Sequence, residues 1–163
     1  MRDLLKTAAG LLAALLFSAC SGMGAAVHEG EGEWSFTEVS GNWTVSFPRT
    51  QVTTTVESLG SVSRVVESLS PDSTEVVSEK VAQLTDEDLA RLELLKSKLD
   101  LQAQGSLELA PGCAGGGAAV YTYSEGGGEP VTFTITGGCG AELSEAEPDL
   151  AAFIDAVNEI AER

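Results

Sequence analysis

Ala119-Val120-Tyr121-Thr122-Tyr123, the break Glu125-Gly126-Gly127-Gly128-Glu129, and Val131-Thr132-Phe133-Thr134-Ile135 form the most legible unit of this chain. Each flanking run is rich in β-branched and aromatic residues, and three glycines between two acids supply a turn. The unit predicts a β-hairpin folded about Gly126. Gly126 is also the midpoint between Cys113 and Cys139, 26 residues apart, so such a hairpin brings the two thiols together at its open end. A disulfide there stabilises the fold by roughly 3 to 4 kcal/mol on the chain-entropy model. The glycine-rich stretch Pro111 to Gly117 resembles a phosphate loop only superficially, because no Gly-Lys-Ser/Thr follows and the next element is a strand.

Upstream, Trp34-Ser35-Phe36-Thr37-Glu38 and Asn42-Trp43-Thr44-Val45-Ser46-Phe47 alternate between apolar and polar residues. A turn at Ser40-Gly41 would set Trp34 against Phe47 and Phe36 against Val45, with Ser35, Thr37, Thr44 and Ser46 on a wet face. Gln51 to Glu57 and Val62 to Leu69 predict a second strand pair about Gly60-Ser61, and Thr74 to Val81 a further strand after Pro71-Asp72. The cluster Thr53-Thr54-Thr55 reads as a solvated strand face.

Two helices complete the pattern. Thr85-Asp86-Glu87-Asp88 opens one over 85–99, with Thr85 as cap, Asp88 at the reciprocal position, and Leu89, Leu92, Leu95 and Leu99 drawing one apolar stripe. Pro148 begins the other, which runs nearly to the C-terminus and carries Leu150, Phe153, Ile154, Val157 and Ile160 on one face. The expected fold is α+β: an antiparallel, hairpin-connected sheet of five to seven strands with two amphipathic helices packed on one face.

The first twenty residues are of another kind. Arg2 and Lys6 precede an apolar run, Ala8 to Phe17, too short to cross a bilayer as a helix and suited to the core of an export signal. Its end, Leu16-Phe17-Ser18-Ala19-Cys20, resembles the lipobox of bacterial lipoproteins. That resemblance implies a diacylglycerol on Cys20, cleavage before it, and a cell-envelope location, with Ser21 pointing to the outer membrane where the organism has one. Lipidation of Cys20 also leaves an even pair, Cys113 and Cys139, for the oxidising compartment outside the cytosol. The expected organisation is a signal peptide at 1–19, a lipidated cysteine and flexible tether at 20–33, and one α+β domain at 34–163.

Composition narrows the function. Nine basic residues against 25 acidic ones, a net charge of −16, argue against a nucleic-acid partner, since phosphate contacts require Lys or Arg. Ser-His-Asp and Cys-His chemistry needs a histidine beside the nucleophile, and the only one, His28, lies in the tether. No Ser-x-x-Lys occurs, zinc lacks ligands, and no cofactor or metal site is expected. Paired carboxylates from different elements remain open.

The succession of strand, capped helix, hairpin and terminal helix, carried by Leu84 to Leu99, Tyr121-Thr122-Tyr123 with its glycine turn, and Leu150 to Ile160, resembles the emfourin group of small bacterial metalloprotease inhibitors. The expectation is therefore a non-catalytic envelope lipoprotein, membrane-attached through lipid, that binds an envelope or extracellular protein or serves structurally. The resemblance implies the alternative, inhibition of a secreted metalloprotease.

Overall fold

A computed structural model describes residues 32–41, 47–109, 117–137 and 141–163. Seven strands form one sheet: β1 (Trp34–Gly41), β2 (Arg49–Glu57), β3 (Ser61–Ser70), β4 (Ser73–Gln83), β5 (Leu107–Glu108), β6 (Ala118–Glu125) and β7 (Val131–Thr136). Three helices accompany it, α1 (Asp86–Lys96), α2 (Ala141–Ala146) and α3 (Pro148–Glu162). The strand order is β4-β3-β2-β1-β6-β7-β5. The class is α+β, but the sheet is mixed, because β5 runs parallel to β7.

β1 is central, bonded to β2 on one side and β6 on the other. Its alternation gives the core its axis: Trp34 and Phe36 are buried, and Phe36 lies opposite Val56 and Tyr123. α3 rests on this row. The Phe153 ring stands edge-on to Phe36 at 5.0 Å and tilted to Trp34 at 6.2 Å, while Tyr121 stacks between Phe36 and Phe133 at 5.7 and 5.2 Å. Such aromatic pairs add about 0.5 to 1.5 kcal/mol each to the burial of their area. All five apolar residues of the α3 stripe, Leu150, Phe153, Ile154, Val157 and Ile160, are buried.

α1 starts where its acids require. The Thr85 hydroxyl accepts from the Asp88 amide at 3.1 Å, and the Asp88 carboxylate accepts from the Thr85 amide at 3.4 Å, a reciprocal cap. Arg163 donates to the other Asp88 oxygen at 3.0 Å, which ties the C-terminus to the start of α1. The helix ends at Lys96, so Lys98 and Leu99 fall in the turn that follows.

Three expectations are corrected. Ser40 and Gly41 do not turn the chain; they remain in β1, opposite Val52 and Gln51. A Cβ on Gly41 would lie 2.7 Å from the Thr50 carbonyl oxygen, so this glycine permits a close approach of strands rather than a turn. Phe47 consequently does not face Trp34. It is 48% exposed beneath the Arg49 guanidinium, which sits 4.5 Å from the ring centre, and residues 42–46 of the expected partner strand lie outside the described residues. Thr54 is buried, not solvated, because side chains alternate and three consecutive threonines cannot share one face. β5 and α2 were not anticipated, the one being two residues long and the other lying inside an acidic stretch.

Replacing Phe153 by Ala should cost about 3 to 5 kcal/mol, and Leu92 by Ala about 2 to 5, in urea unfolding. A loss under about half a kilocalorie at either position would place that side chain in water.

Candidate functional site

Among the described residues the inner face of the sheet carries one buried carboxyl group. Glu38 follows Phe36 by two residues on β1, so it points the same way, toward α3, and is 7% exposed. The Asn158 amide of α3 donates to it at 2.8 Å and the Ser40 hydroxyl donates as well. Burial raises its pKa above the ordinary 4.5, against the pull of those two donors and of Arg64, while Asp155 adds to the rise. Tyr121 stands opposite Glu38 on β6, and its phenol is pushed above its usual range, first by burial and then by the carboxylates of Glu38 and Asp155.

Beside this group lies a cavity of about 300 Å³ between sheet and helices, lined among others by Ser40, Tyr121, Ile135, Leu143 and Asp155. The structure thus brings two carboxylates, left open by the sequence, into electrostatic contact. Of these three titratable groups Asp155 and Tyr121 line the cavity, whereas Glu38 is held by Asn158 and Ser40. Acid–base work on a substrate needs both carboxyl groups within reach of the reacting atoms. Here one is committed to holding α3 on the sheet.

A second cleft, about 250 Å³, opens between the end of α1 and β6. The indole N–H of Trp34 donates to Glu93, and Lys96 binds Glu125 at 2.8 Å while its ammonium lies 5.5 Å from the Trp34 ring centre. Lys96 and the Tyr123 hydroxyl, both donating to Glu125, hold that carboxylate below its ordinary pKa. These charges satisfy one another, so the cleft works as a polar clamp of helix to sheet.

Among the described residues, no helix covers the opposite face of the sheet. From β7 through β6 and β1 to β2 it presents Thr132, Thr134, Val120, Thr122, Ser35, Thr37, Val39, Thr53 and Thr55, with Ser124 buried among them, as the registers require. Hydroxyl pairs stitch it together: Ser35 to Ser124 at 2.8 Å, Thr37 to Thr55 at 3.1 Å and Thr122 to Thr132 at 3.3 Å. On a chain of net charge −16, its charged side chains are confined to the β2 corners, Arg49 and Glu57. Beyond β2 the sheet continues into β3 and the fully exposed β4.

Of the residues singled out in the sequence, Cys20, His28, Cys113 and Cys139 lie outside the described residues. The hairpin joining the two segments is centred one residue later than expected, on Gly127, since Tyr121 faces Phe133 and Ala118 faces Thr136. Gly126 and Gly127 both have positive φ, 61° and 70°, and the Gly128 amide donates to the Glu125 carbonyl at 3.0 Å. A mirror-image turn therefore occupies 125–128, within the longer connection between the last paired residues, Tyr123 and Val131. Among the described residues no group of three or more His, Cys, Asp or Glu is placed to hold a metal ion, and no helix is long and apolar enough to cross a membrane.

No family model matches this chain, and no curated protein is significantly similar to it.

Glu38 supplies a pH test. Its folded pKa lies above its unfolded value, so ionising it costs stability as pH rises from about 4.5 through the folded pKa, and the cost is complete above that. Glu38→Gln keeps the acceptor for Asn158 and should be more stable than the native chain at pH 7, with the gain fading as the pH is lowered to 4.5. Equal melting temperatures at pH 7 would mean that the ionised carboxylate is adequately solvated.

Proposed function

We propose that this chain is an exported, lipid-anchored envelope protein that acts by binding another protein, without catalysis. The observation that carries this reading is the uncharged hydroxyl and valine face spanning β7 to β2 on an otherwise strongly acidic chain. With α1 and α3 on one side of the sheet, no described helix covers the other, which would meet a partner over four strands. Depletion of charge is one feature of the surface that partners bury. The two internal clefts, by contrast, are occupied by contacts that hold the fold.

The address rests on Cys20 and the apolar run before it. A diacylglycerol on that thiol supplies two chains, enough for stable membrane attachment, and residues 21–33 would join it to the start of β1. Cys113 and Cys139 would then form the disulfide that closes the open end of the β6–β7 hairpin. No cofactor enters this reading, and nucleic-acid binding, which would require a basic surface on this chain, is not supported by nine cations among 163 residues.

Radiolabelled palmitate should enter the native product and fail to enter a Cys20→Ala chain; an unlabelled product with an uncut leader would remove the envelope address. Crosslinking in intact cells, followed by mass spectrometry, should recover a protein partner. Thr37→Lys and Thr122→Lys, which place a charge in the middle of the face, should abolish that crosslink while leaving the melting temperature within a few degrees. A crosslink indifferent to both would move the binding surface elsewhere, and recovery of lipid alone would leave binding without a partner. If the partner is a secreted metalloprotease, the purified chain should suppress its cleavage of a peptide substrate.

For the bridge, the oxidised mature protein should run ahead of its reduced form on a gel. Two thiols open to alkylation without reductant would exclude it.

A further inference from the structure

The two edges of the sheet are built differently. One ends in β5, two residues long. The other ends in β4, which has eleven residues, every one exposed, and no proline. Among the described residues β4 is bonded to β3 along one side only, from Ser61 opposite Gln83 to Ser70 opposite Ser73. Val76, Val77 and Val81 are 54%, 63% and 64% exposed. A long open edge of this kind presents a row of unpaired backbone donors and acceptors to another strand, and folds that remain monomeric usually shorten, cover or interrupt it.

We infer that this edge pairs with the same edge of a second copy, β4 running antiparallel to β4 about a two-fold axis that passes between Val77 and Ser78. The argument is one of register. Residues directly opposite in an antiparallel ladder lie on one face of the sheet. A two-fold axis perpendicular to the sheet carries each face onto itself, so in a regular strand it can pair only residues separated by an even number. β4 is not regular. Val66 is opposite Ser78 and Glu67 opposite Val76, which leaves Val77 as an extra residue and reverses the alternation beyond it. Glu75, opposite Ser68, and Lys80, opposite Arg64, therefore share the inner face although they are five apart. Val76, opposite Glu67, and Glu79, opposite Val65, share the outer one.

In the two-fold ladder Glu75 then faces Lys80 of the second copy, and Lys80 faces its Glu75, on one side of the sheet. On the other, Val76 lies along the stem of Glu79, and Thr74 meets Val81. The extra residue that would disturb most pairings is what makes this one self-complementary: two ion pairs form, no like charges are opposed, and the three exposed valines enter the joint. Isologous pairing of this type closes after two copies, which prevents growth into a fibre.

The test uses the mature lipidated chain in detergent, by sedimentation equilibrium at physiological salt, and a lysine-independent photo-crosslinker in native membranes. The native chain should sediment at twice the monomer mass. Lys80→Glu sets two pairs of carboxylates together, and Glu75→Lys two pairs of ammonium groups; each should weaken the dimer by about tenfold or more, because opposed like charges are costly. The double variant Glu75→Lys with Lys80→Glu restores both pairs and should restore the dimer. Glu75→Lys is decisive, since it lowers the net charge of each copy and would tighten any association limited by general repulsion. A native chain that is monomeric, or a dimer that Glu75→Lys leaves intact or strengthens, would overturn the assignment. Lys80 also donates to the Glu162 carbonyl of α3 at 3.0 Å, so Lys80→Glu gives up that tie within the protomer while Glu75→Lys gives up none of this kind among the described residues; both side chains are exposed, and circular dichroism should show each variant folded. Thr122→Lys, on a distant part of the sheet, should leave the dimer unchanged, which separates this joint from the binding face proposed above.

Discussion

The edge-to-face contact of Phe153 on Phe36 joins the terminal helix to the middle of the sheet, and the other elements are arranged around it. β1 contributes Trp34 and Phe36 to the inner face and is hydrogen-bonded along both sides, so its backbone is satisfied before any side chain is counted. That double pairing also explains why Ser40 and Gly41 extend the strand. A turn there would give up ladder bonds to Val52 and Gln51 on one side and to Ala119 and Ala118 on the other, while the missing Cβ of Gly41 removes the only steric objection to continuing.

Polar groups near this axis hold the two layers in register. Glu38 costs the fold some desolvation, and Asn158 offsets it while fixing the rotation of α3 about its own axis. At the far end, Trp34 must satisfy an indole N–H in a buried site, and Glu93 of α1 accepts it. Lys96 then neutralises both Glu93 and Glu125, at 3.6 and 2.8 Å, so that an acidic helix can lie against an acidic strand. The clefts beside these groups are consequences of holding helices on a sheet, which is why the functional reading rests on the surface instead.

That surface follows from the same alternation. Each inward aromatic on β1, β6 and β7 obliges its neighbours to face outward, and those neighbours are Ser, Thr and Val. Repulsion among 25 acidic side chains would be least tolerable in a closely spaced sheet, yet the strands from β7 to β2 carry almost none on this face. Toward β3 and β4 charge reappears on this face, with Glu67 and Glu79, and there the sheet ends in the exposed strand β4.

Local physics made much of this legible from the residues. Thr85 and Asp88 are three apart, the separation a reciprocal cap requires; Leu150 to Ile160 repeat at helical spacing; Tyr121 and Phe133 flank a glycine turn; and each signal acts over one element, where propensity and hydrogen bonding decide. The strand pairings beyond near neighbours were not legible, because whether Gly41 turns or continues depends on Thr50 and Ala118, which the chain brings up only on folding. Nor could spacing reveal that Glu38 would meet Asn158 across 120 residues, that β5 would lie parallel to β7, or that an extra residue at Val77 would set Glu75 and Lys80 on one face. The sequence by itself determined which residues seek helix, strand or turn, since those preferences are carried by each residue and its immediate neighbours. Only the tertiary structure decided which strands are central and which edge is left open, since a ladder bond belongs to two distant segments and exists once both are in place.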